Sequence, residues 1–385
     1  MSQHEDNRWH RFRSEMPVAN DWVYFDHSAV APLPRVTHDA ILGWLKQATA
    51  SGDAKWLSWL EAVNACRTSA AKMLNAKIDE IALVPSTTAG INIVAEGFPW
   101  QSGDNIVTLE NEFPSNLYPW LNLADRGVET RLVPVDGGCP DLDRIAQACD
   151  ERTRVVSMSW VGYASGWRIE PSEVASIAHR HSAYFLLDAI QGLGVFPLDV
   201  KLSDIDFLSA DGHKWMLGPE GAGLFYVKGE LLDRLRPVGV GWKSVKNCFD
   251  FATTDLTLRN DAARFEGGTQ NMSGFIGLGA SLDLLLSFGI SHDEPAVGNR
   301  VIEITDYACE RLGELGAEIL CPRQESHKSG VVTFSMQSAT PEEIKARCFA
   351  NQIVLSCRGG GVRISPHAYN NHDDIDRLVG VIKEL

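Results

Sequence analysis

The chain has 385 residues, 44% of them hydrophobic and 22% charged, with 35 basic against 50 acidic side chains and a formal net charge of −15. That length suits two domains or one large α/β domain with a smaller partner, and the composition excludes a disordered chain or an 18-residue apolar span for a membrane. The acidic balance argues against nucleic acid as a partner, and the polar start MSQHEDNRWHRF is unlike a signal peptide. The eight cysteines show no CxxC pair or disulfide-like spacing, which predicts free thiols in a reducing cytoplasm and no metal.

Residues 1–25 are polar with interspersed aromatics, Trp9, Phe12 and Trp22, and end in the apolar patch WVYF, which predicts an N-terminal arm that packs down. APLP at 31–34 breaks the chain. Apolar positions at helical spacing from 36 to about 75, including Ile41, Leu42, Leu45, Leu57, Leu60 and Val63, then predict two helices. From about residue 80 a grammar repeats, in which a short apolar run ends in polar or small residues and a helical pattern follows. IALV precedes PSTTAG, NIVTL precedes ENEFPSN, RVVSMSW precedes VGYASG, AYFLLD precedes AIQG, and DFLSA precedes DGHK. Such alternation implies a mostly parallel sheet, whose ligands bind outside the carboxyl ends of the strands. A long apolar-periodic stretch from Ile276 to Leu286 leads to a second region. There, helix patterns at 296–315, 341–351 and 372–384 alternate with the strand-like runs VVTFSM, IVLSC and VRIS. The expected division is an arm (1–25), a large α/β domain (26–285) and a small C-terminal α/β domain (286–385).

The polar strand ends carry the chemistry. In DFLSADGHKWMLGPEGAGLFYV, Lys214 is pinned between two apolar runs, and burial there favours the neutral amine, a nucleophile able to form an imine with an aldehyde. A lone loop lysine is ordinarily a surface residue, so its surroundings must decide. Ser86-Thr87-Thr88-Ala89-Gly90 offers hydroxyls and N–H groups at a helix start, where either a phosphate or simple capping is served. Asp188 ends the apolar run Tyr184–Leu187 and needs a cationic partner, such as a protonated pyridine nitrogen, unless it caps a helix. Phe113 either stacks on such a ring or belongs to the core. Arg363, beside a glycine run, either grips a carboxylate bidentately or forms a surface salt bridge. His27 reaches the same cavity or, the preferred reading, hydrogen-bonds inside its turn.

Taken in order, YFDHSAVAPLP, STTAGINIVA, EFPSNLYPW, the aspartate and glutamine of LLDAIQ, the GHK loop, FEGGTQN and RGGGVRISPHAYN resemble the class V aminotransferase family of pyridoxal-phosphate enzymes. That family includes cysteine desulfurases, isopenicillin-N-epimerase-like proteins and kynureninase. The match runs from about residue 22 to the end, and EFPSN and ADGHKW look most like the epimerase-like branch. The resemblance implies a fold type I pyridoxal-phosphate-dependent transferase with a large, mostly parallel sheet domain and a small C-terminal domain. It further implies that Lys214 carries pyridoxal 5'-phosphate as a Schiff base, that Asp188 pairs with the pyridine nitrogen and that Gln191 contacts the ring hydroxyl. Phosphate would be held by Thr87, Thr88, His213 and, from the other subunit of a homodimer, Thr269. Phe113 would stack on the ring, and Arg363, with His27 nearby, would bind an amino-acid substrate.

Three positions depart from the desulfurase pattern: Asp211 stands where a serine touches the phosphate, Phe113 where a histidine stacks, and Tyr163 where an asparagine lies near the ring hydroxyl. The expected function is therefore a pyridoxal-phosphate enzyme with epimerase-like or carbon–sulfur lyase chemistry, ahead of transamination, with cysteine desulfuration last. A catalytically silent relative acting as a binding protein is the non-enzyme alternative, and a nucleotide hydrolase lacks its GxxxxGK[ST] motif. Persulfide formation needs a thiolate on a mobile loop. Cys348 falls in the helix pattern PEEIKARCFANQ, and Cys357 ends an apolar run with only five residues between it and Arg363, so neither suits that task.

Overall fold

A computed structural model describes residues 3–136 and 138–385. In chain order the strands are β1 (Val23–Tyr24), β2 (Ile81–Val84), β3 (Asn105–Leu109), β4 (Glu129–Val133), β5 (Thr153–Ser159), β6 (Tyr184–Asp188), β7 (Phe207–Asp211), β8 (Gly223–Val227), β9 (Glu318–Ile319), β10 (Val332–Ser335), β11 (Ile353–Val354), β12 (Ser356–Arg358) and β13 (Gly361–Ile364). Seven of them form the central sheet in the order β2-β8-β7-β6-β5-β3-β4, and only β8 runs antiparallel to its neighbours. The inner strands are buried on both faces, so they read as unbroken apolar runs rather than as alternation. Two apolar clusters cover the two faces of this sheet, one built around Phe185, Leu208 and Leu278, the other around Ile91, Phe207 and Phe225.

Because the other six strands run the same way, the ends of β2, β3, β5, β6 and β7 open on one edge, as the repeated strand-then-helix grammar predicts. The turn after β7 is tight. A Cβ on Gly212 would lie 2.6 Å from the Ala222 carbonyl oxygen and one on Gly223 2.7 Å from that of Ala210, so only glycine lets β8 return this close to the lysine loop.

The two helices expected before residue 75 are present as Arg35–Ser51 and Trp56–Leu74, and they pack with Met272–Ser287. Not every residue on the anticipated stripe is covered: Val63 is fully buried, yet Leu45 and Leu57 are exposed. The start of the chain contains a helix, Gln3–Ser14, that sequence polarity concealed. Phe12 stacks on Phe288 at 4.6 Å between ring centroids, and Arg13 bonds Asp374 through both terminal nitrogens, so this segment is tied to the C-terminal region.

That region holds an antiparallel sheet of order β12-β13-β10-β9 under the helices Pro341–Ala350 and His372–Ile382. The helix and strand patterns read in this part of the sequence match within one or two residues, except that IVLSC divides into β11 and β12. Strand β1 joins here from the other end of the chain, pairing in parallel with β11, and Val23 and Phe25 enter the same apolar cluster. Among the described residues no helix is long and apolar enough to cross a membrane.

Candidate active site

A cavity of about 340 Å³ lies at the carboxyl edge of the central sheet. Its first wall is the start of helix Thr87–Gly97. Ser86 caps that helix by accepting from the Ala89 N–H at 3.1 Å, and Thr87 Oγ1 accepts the Asp211 N–H at 2.8 Å, which ties the helix start to the end of β7. Thr88 donates its hydroxyl to Ser115 at 2.8 Å. His213 completes this end, its Nδ1 3.1 Å from Asp211 Oδ2, while Asp211 Oδ1 is buried with no hydrogen-bond partner among the described residues.

The second wall holds the reactive groups. Lys214, only 8% exposed, follows β7 by three residues, and its loop is pinned by the Ala31 N–H donating to the His213 carbonyl at 2.7 Å. Burial pushes its ammonium down to about 8, partly offset by the negative charge of Asp188. Asp188, 2% exposed at the end of β6, is pushed up to about 6 by burial, against the pull of the Ile190 N–H, which it accepts at 3.1 Å, and of Lys214. A carboxylate so desolvated and so sparsely bonded suits a cationic partner in the cavity. Phe113 faces this pair, with Lys214 Nζ 5.5 Å from its ring centroid, and Tyr163 packs edge-on against Phe113 at 5.2 Å.

Arg363 of β13 closes the third side. Its guanidinium is buried and held on three sides: Nε donates to Ser356 Oγ at 3.1 Å, one terminal nitrogen to the Tyr163 carbonyl at 2.6 Å, and the other to Asp26 Oδ1 at 3.0 Å. Burial lowers its pKa, with Asp26 opposing that effect. The side chain is therefore fixed in orientation but already carries a counter-charge. Arg358, the last residue of β12 before the glycine turn into β13, lines the same side.

Of the residues singled out in the sequence, Lys214, Asp188, Thr87, Thr88, His213, Phe113 and Arg363 stand on this one cavity, as do Asp211 and Tyr163. Gln191 and His27 do not. Gln191 donates to the Ser28 carbonyl at 3.0 Å and accepts the Trp215 indole N–H at 2.9 Å, because that buried indole next to Lys214 requires an acceptor. His27 is fully buried behind the wall, with Nδ1 bonded to the Ser365 carbonyl at 2.8 Å and Nε2 to the Tyr369 hydroxyl at 3.0 Å, so its partners lie across the chain rather than within its turn. Thr269 is exposed and lies outside this chain's cavity. Sequence reasoning missed Asp26, Arg358 and the buried Glu112. All three fall inside or beside motifs already quoted, but 337 positions separate Asp26 from Arg363, and no local signal joins them.

The model of the family described as Aminotransferase class-V matches residues 23–378. The chain belongs to the class-V aminotransferase family. It is 31% identical to a probable cysteine desulfurase of Methanothermobacter thermautotrophicus over 97% of each chain, and 30% identical to a cysteine desulfurase of Salmonella agona over 84% of this chain and 82% of that one. Among solved structures, the apo cysteine desulfurase of Thermococcus onnurineus superposes with a TM-score of 0.87 at 26% identity, covering 97% of this chain and 96% of the other. A cystine C–S lyase in complex with cysteine persulfide reaches a TM-score of 0.89 over 96% and 99% of the two chains at 23% identity, a likeness of fold. This class-V member is thus a pyridoxal-phosphate-dependent enzyme acting on an amino acid. Its cavity fits that cofactor: a buried carboxylate faces a basic lysine, an aromatic face stands opposite, and a capped helix start offers N–H groups to a phosphate.

Proposed function

We propose that this enzyme is a carbon–sulfur lyase type of class-V protein, eliminating a sulfur leaving group from Cβ of an amino acid without a persulfide-carrying cysteine of its own. One observation carries the reading: among the described residues no cysteine lines the cavity, and the base placed there is Lys214. Cys357, the thiol nearest Arg363 in sequence, sits on β12 with Sγ donating to the Pro341 carbonyl at 3.3 Å, and burial, aided by the charge of Glu342, raises its pKa. A thiol tethered in a strand and biased toward its protonated form is a poor nucleophile.

In this reading Lys214 would hold the cofactor through its aldehyde, and Asp188 would keep the proton on the ring nitrogen. Phe113 covers one ring face, while Thr87, Thr88 and His213 hold the phosphate. The bound cofactor supplies a conjugated cationic ring that accepts an electron pair. Arg363 orients the substrate carboxylate, with Asp26 keeping the guanidinium in place. With its amine free, Lys214 would take the proton from Cα of the substrate, the Cα–H electron pair would close the Cα=Cβ bond, and the sulfur group would leave Cβ with its own bonding pair.

A homodimer in the cytoplasm belongs to the same proposal. Leu57, Phe249, Phe251 and Leu256 are exposed large apolar residues, Trp242 packs near Phe249 and Phe251, and the exposed Thr269 follows in the same part of the chain. An apolar surface of this kind suits burial against a second copy, which would bring Thr269 of the partner subunit to the phosphate. The eight cysteines are all free, in keeping with a reducing compartment.

The test is to incubate the holoenzyme with cystine, cysteine and other sulfur-bearing amino acids, and to follow the sulfur and carbon products. Intact mass reports any persulfide, and Cys357→Ala is run in parallel. Product formation unchanged in that variant is expected. A persulfide on Cys357, with sulfur transfer lost in Cys357→Ala, would make the protein a desulfurase instead.

A further inference from the structure

Phe113 is 42% exposed and its ring meets the edge of Tyr163, so packing does little to hold it over the cavity. The turn that carries it is nevertheless fixed at both ends. On one side Glu112, buried, accepts the Ser159 N–H at Oε1 (2.7 Å) and the Ser159 hydroxyl at Oε2. On the other side Asn116, fully buried, accepts the Ser157 hydroxyl at 2.6 Å and the Trp120 indole N–H at 3.1 Å through the same oxygen. Ser157 and Ser159 stand two apart on β5, so their side chains leave one face of the strand. Ser159 is also the register partner of Asp188 on β6, which sets the clamp beside the cavity's buried carboxylate.

We propose that Glu112 and Asn116 are positioning residues of the cofactor site, clamping Phe113-Pro114-Ser115 to Ser159 and Ser157 so that the Phe113 ring is held opposite Lys214. The inference rests on the proposed stacking role of Phe113. Burying a carboxyl is costly unless its bonds are made, and both Glu112 oxygens are bonded to Ser159. Asn116 anchors through its oxygen alone, its amide nitrogen being buried with no hydrogen-bond partner among the described residues, a cost that a turn needing only to close would not carry. Burial pushes the Glu112 carboxyl up to about 7, and the charge of Asp188 adds to that, so a neutral side chain of the same shape is a fair substitute near neutral pH. The pattern Glu-Phe-Pro-Ser-Asn facing Ser-x-Ser thus reads as two side-chain anchors flanking one aromatic face.

The experiment titrates pyridoxal 5'-phosphate into the full-length protein freed of cofactor, following tryptophan fluorescence, and records the visible circular dichroism of the bound cofactor. Phe113→Ala should weaken binding by about threefold to tenfold, the range that aromatic contacts are worth. Glu112→Ala and Asn116→Ala should each give a loss of similar size and a diminished dichroic band, whereas Glu112→Gln, which keeps an acceptor for the Ser159 N–H, should bind as the parent does. Should Glu112→Ala not fold, Ser159→Ala removes the hydroxyl anchor from the opposite side and is expected to weaken binding in the same direction. Parent-like affinity and dichroism in the clamp variants, alongside weakening in Phe113→Ala, would overturn the clamp alone. Binding as weak in Glu112→Gln as in Glu112→Ala would assign the effect to charge and overturn it as well. Unchanged affinity in Phe113→Ala would remove the stacking role itself, and the reason for the clamp with it.

Discussion

At the scale of single residues, burial decides what Lys214 and Asp188 can do. An ammonium brought down to about 8 leaves a usable share of free amine near neutrality, and the amine is neutral above that value. The rate at which cofactor-free protein takes up pyridoxal 5'-phosphate should therefore rise between about pH 6.5 and about pH 8.5 and then level off. Stopped-flow absorbance measures this, and a flat profile would show that the amine is not the limiting nucleophile. Asp188 poses the complementary question. Asp188→Asn keeps the shape and the acceptor for the Ile190 N–H but removes the charge that holds a ring proton, so turnover should fall at least tenfold, about 1.4 kcal/mol of barrier, with little change in melting temperature. A smaller loss of activity, or a melting temperature lowered in proportion, would place Asp188 in the fold rather than in the chemistry.

At the scale of elements, the lysine loop is held from the C-terminal region by His367, a histidine that the sequence left unassigned. The Ala368 N–H donates to His367 Nδ1 at 2.9 Å, so His367 donates from Nε2 to the Trp215 carbonyl, 3.1 Å away and next to Lys214. Each ring nitrogen is used in the neutral form, and a proton added at Nδ1 would face another donor. Burial lowers His367 to about 4 and holds His27 well below its ordinary value. The sign follows directly. The unfolded chain binds these protons near 6.5 and the folded chain does not, so this contribution is full above that pH and shrinks as the pH falls toward about 4. Melting temperature should drop between about pH 7 and about pH 5, and His367→Gln should flatten part of that slope. Equal slopes in the two proteins would show that His367 does not carry it.

For the whole molecule, the open question is what covers its exposed apolar surface. Phe251 is 78% exposed and Leu57 73%, values out of keeping with a surface that stays in water over so many large side chains. Phe251→Asp, a surface change that breaks no contact within the core, should shift the protein toward monomer in sedimentation or light-scattering measurements. Cofactor affinity should fall with it if Thr269 of the partner subunit completes the phosphate site. A variant in the same oligomeric state as the parent, or a monomer with full affinity, would separate those two statements and refute the one it contradicts.

What could be read in the chain and what could not divide along physical lines. Local pattern sufficed for the central sheet, since a strand buried on both faces must be apolar throughout, and the residues where each run stops are the ones left at the sheet edge: Asp188, Asp211 and, three positions on, Lys214. The seven ordered motifs likewise located most of the cavity. Pairings across hundreds of residues had no such local signature. Asp26 meets Arg363 only because β1 threads beside β11 and the chain next to it bridges Ser365, and that same threading draws His27 away from the cavity to Ser365 and Tyr369. Gln191 carried a motif that pointed to the cofactor, yet the buried Trp215 indole takes its carbonyl, because an unmet donor inside the core costs more than a bond left to water outside it. Composition and periodicity therefore determined the sheet and the residues at its edge, while the tertiary fold decided which polar groups face the cavity and which are used up holding it together.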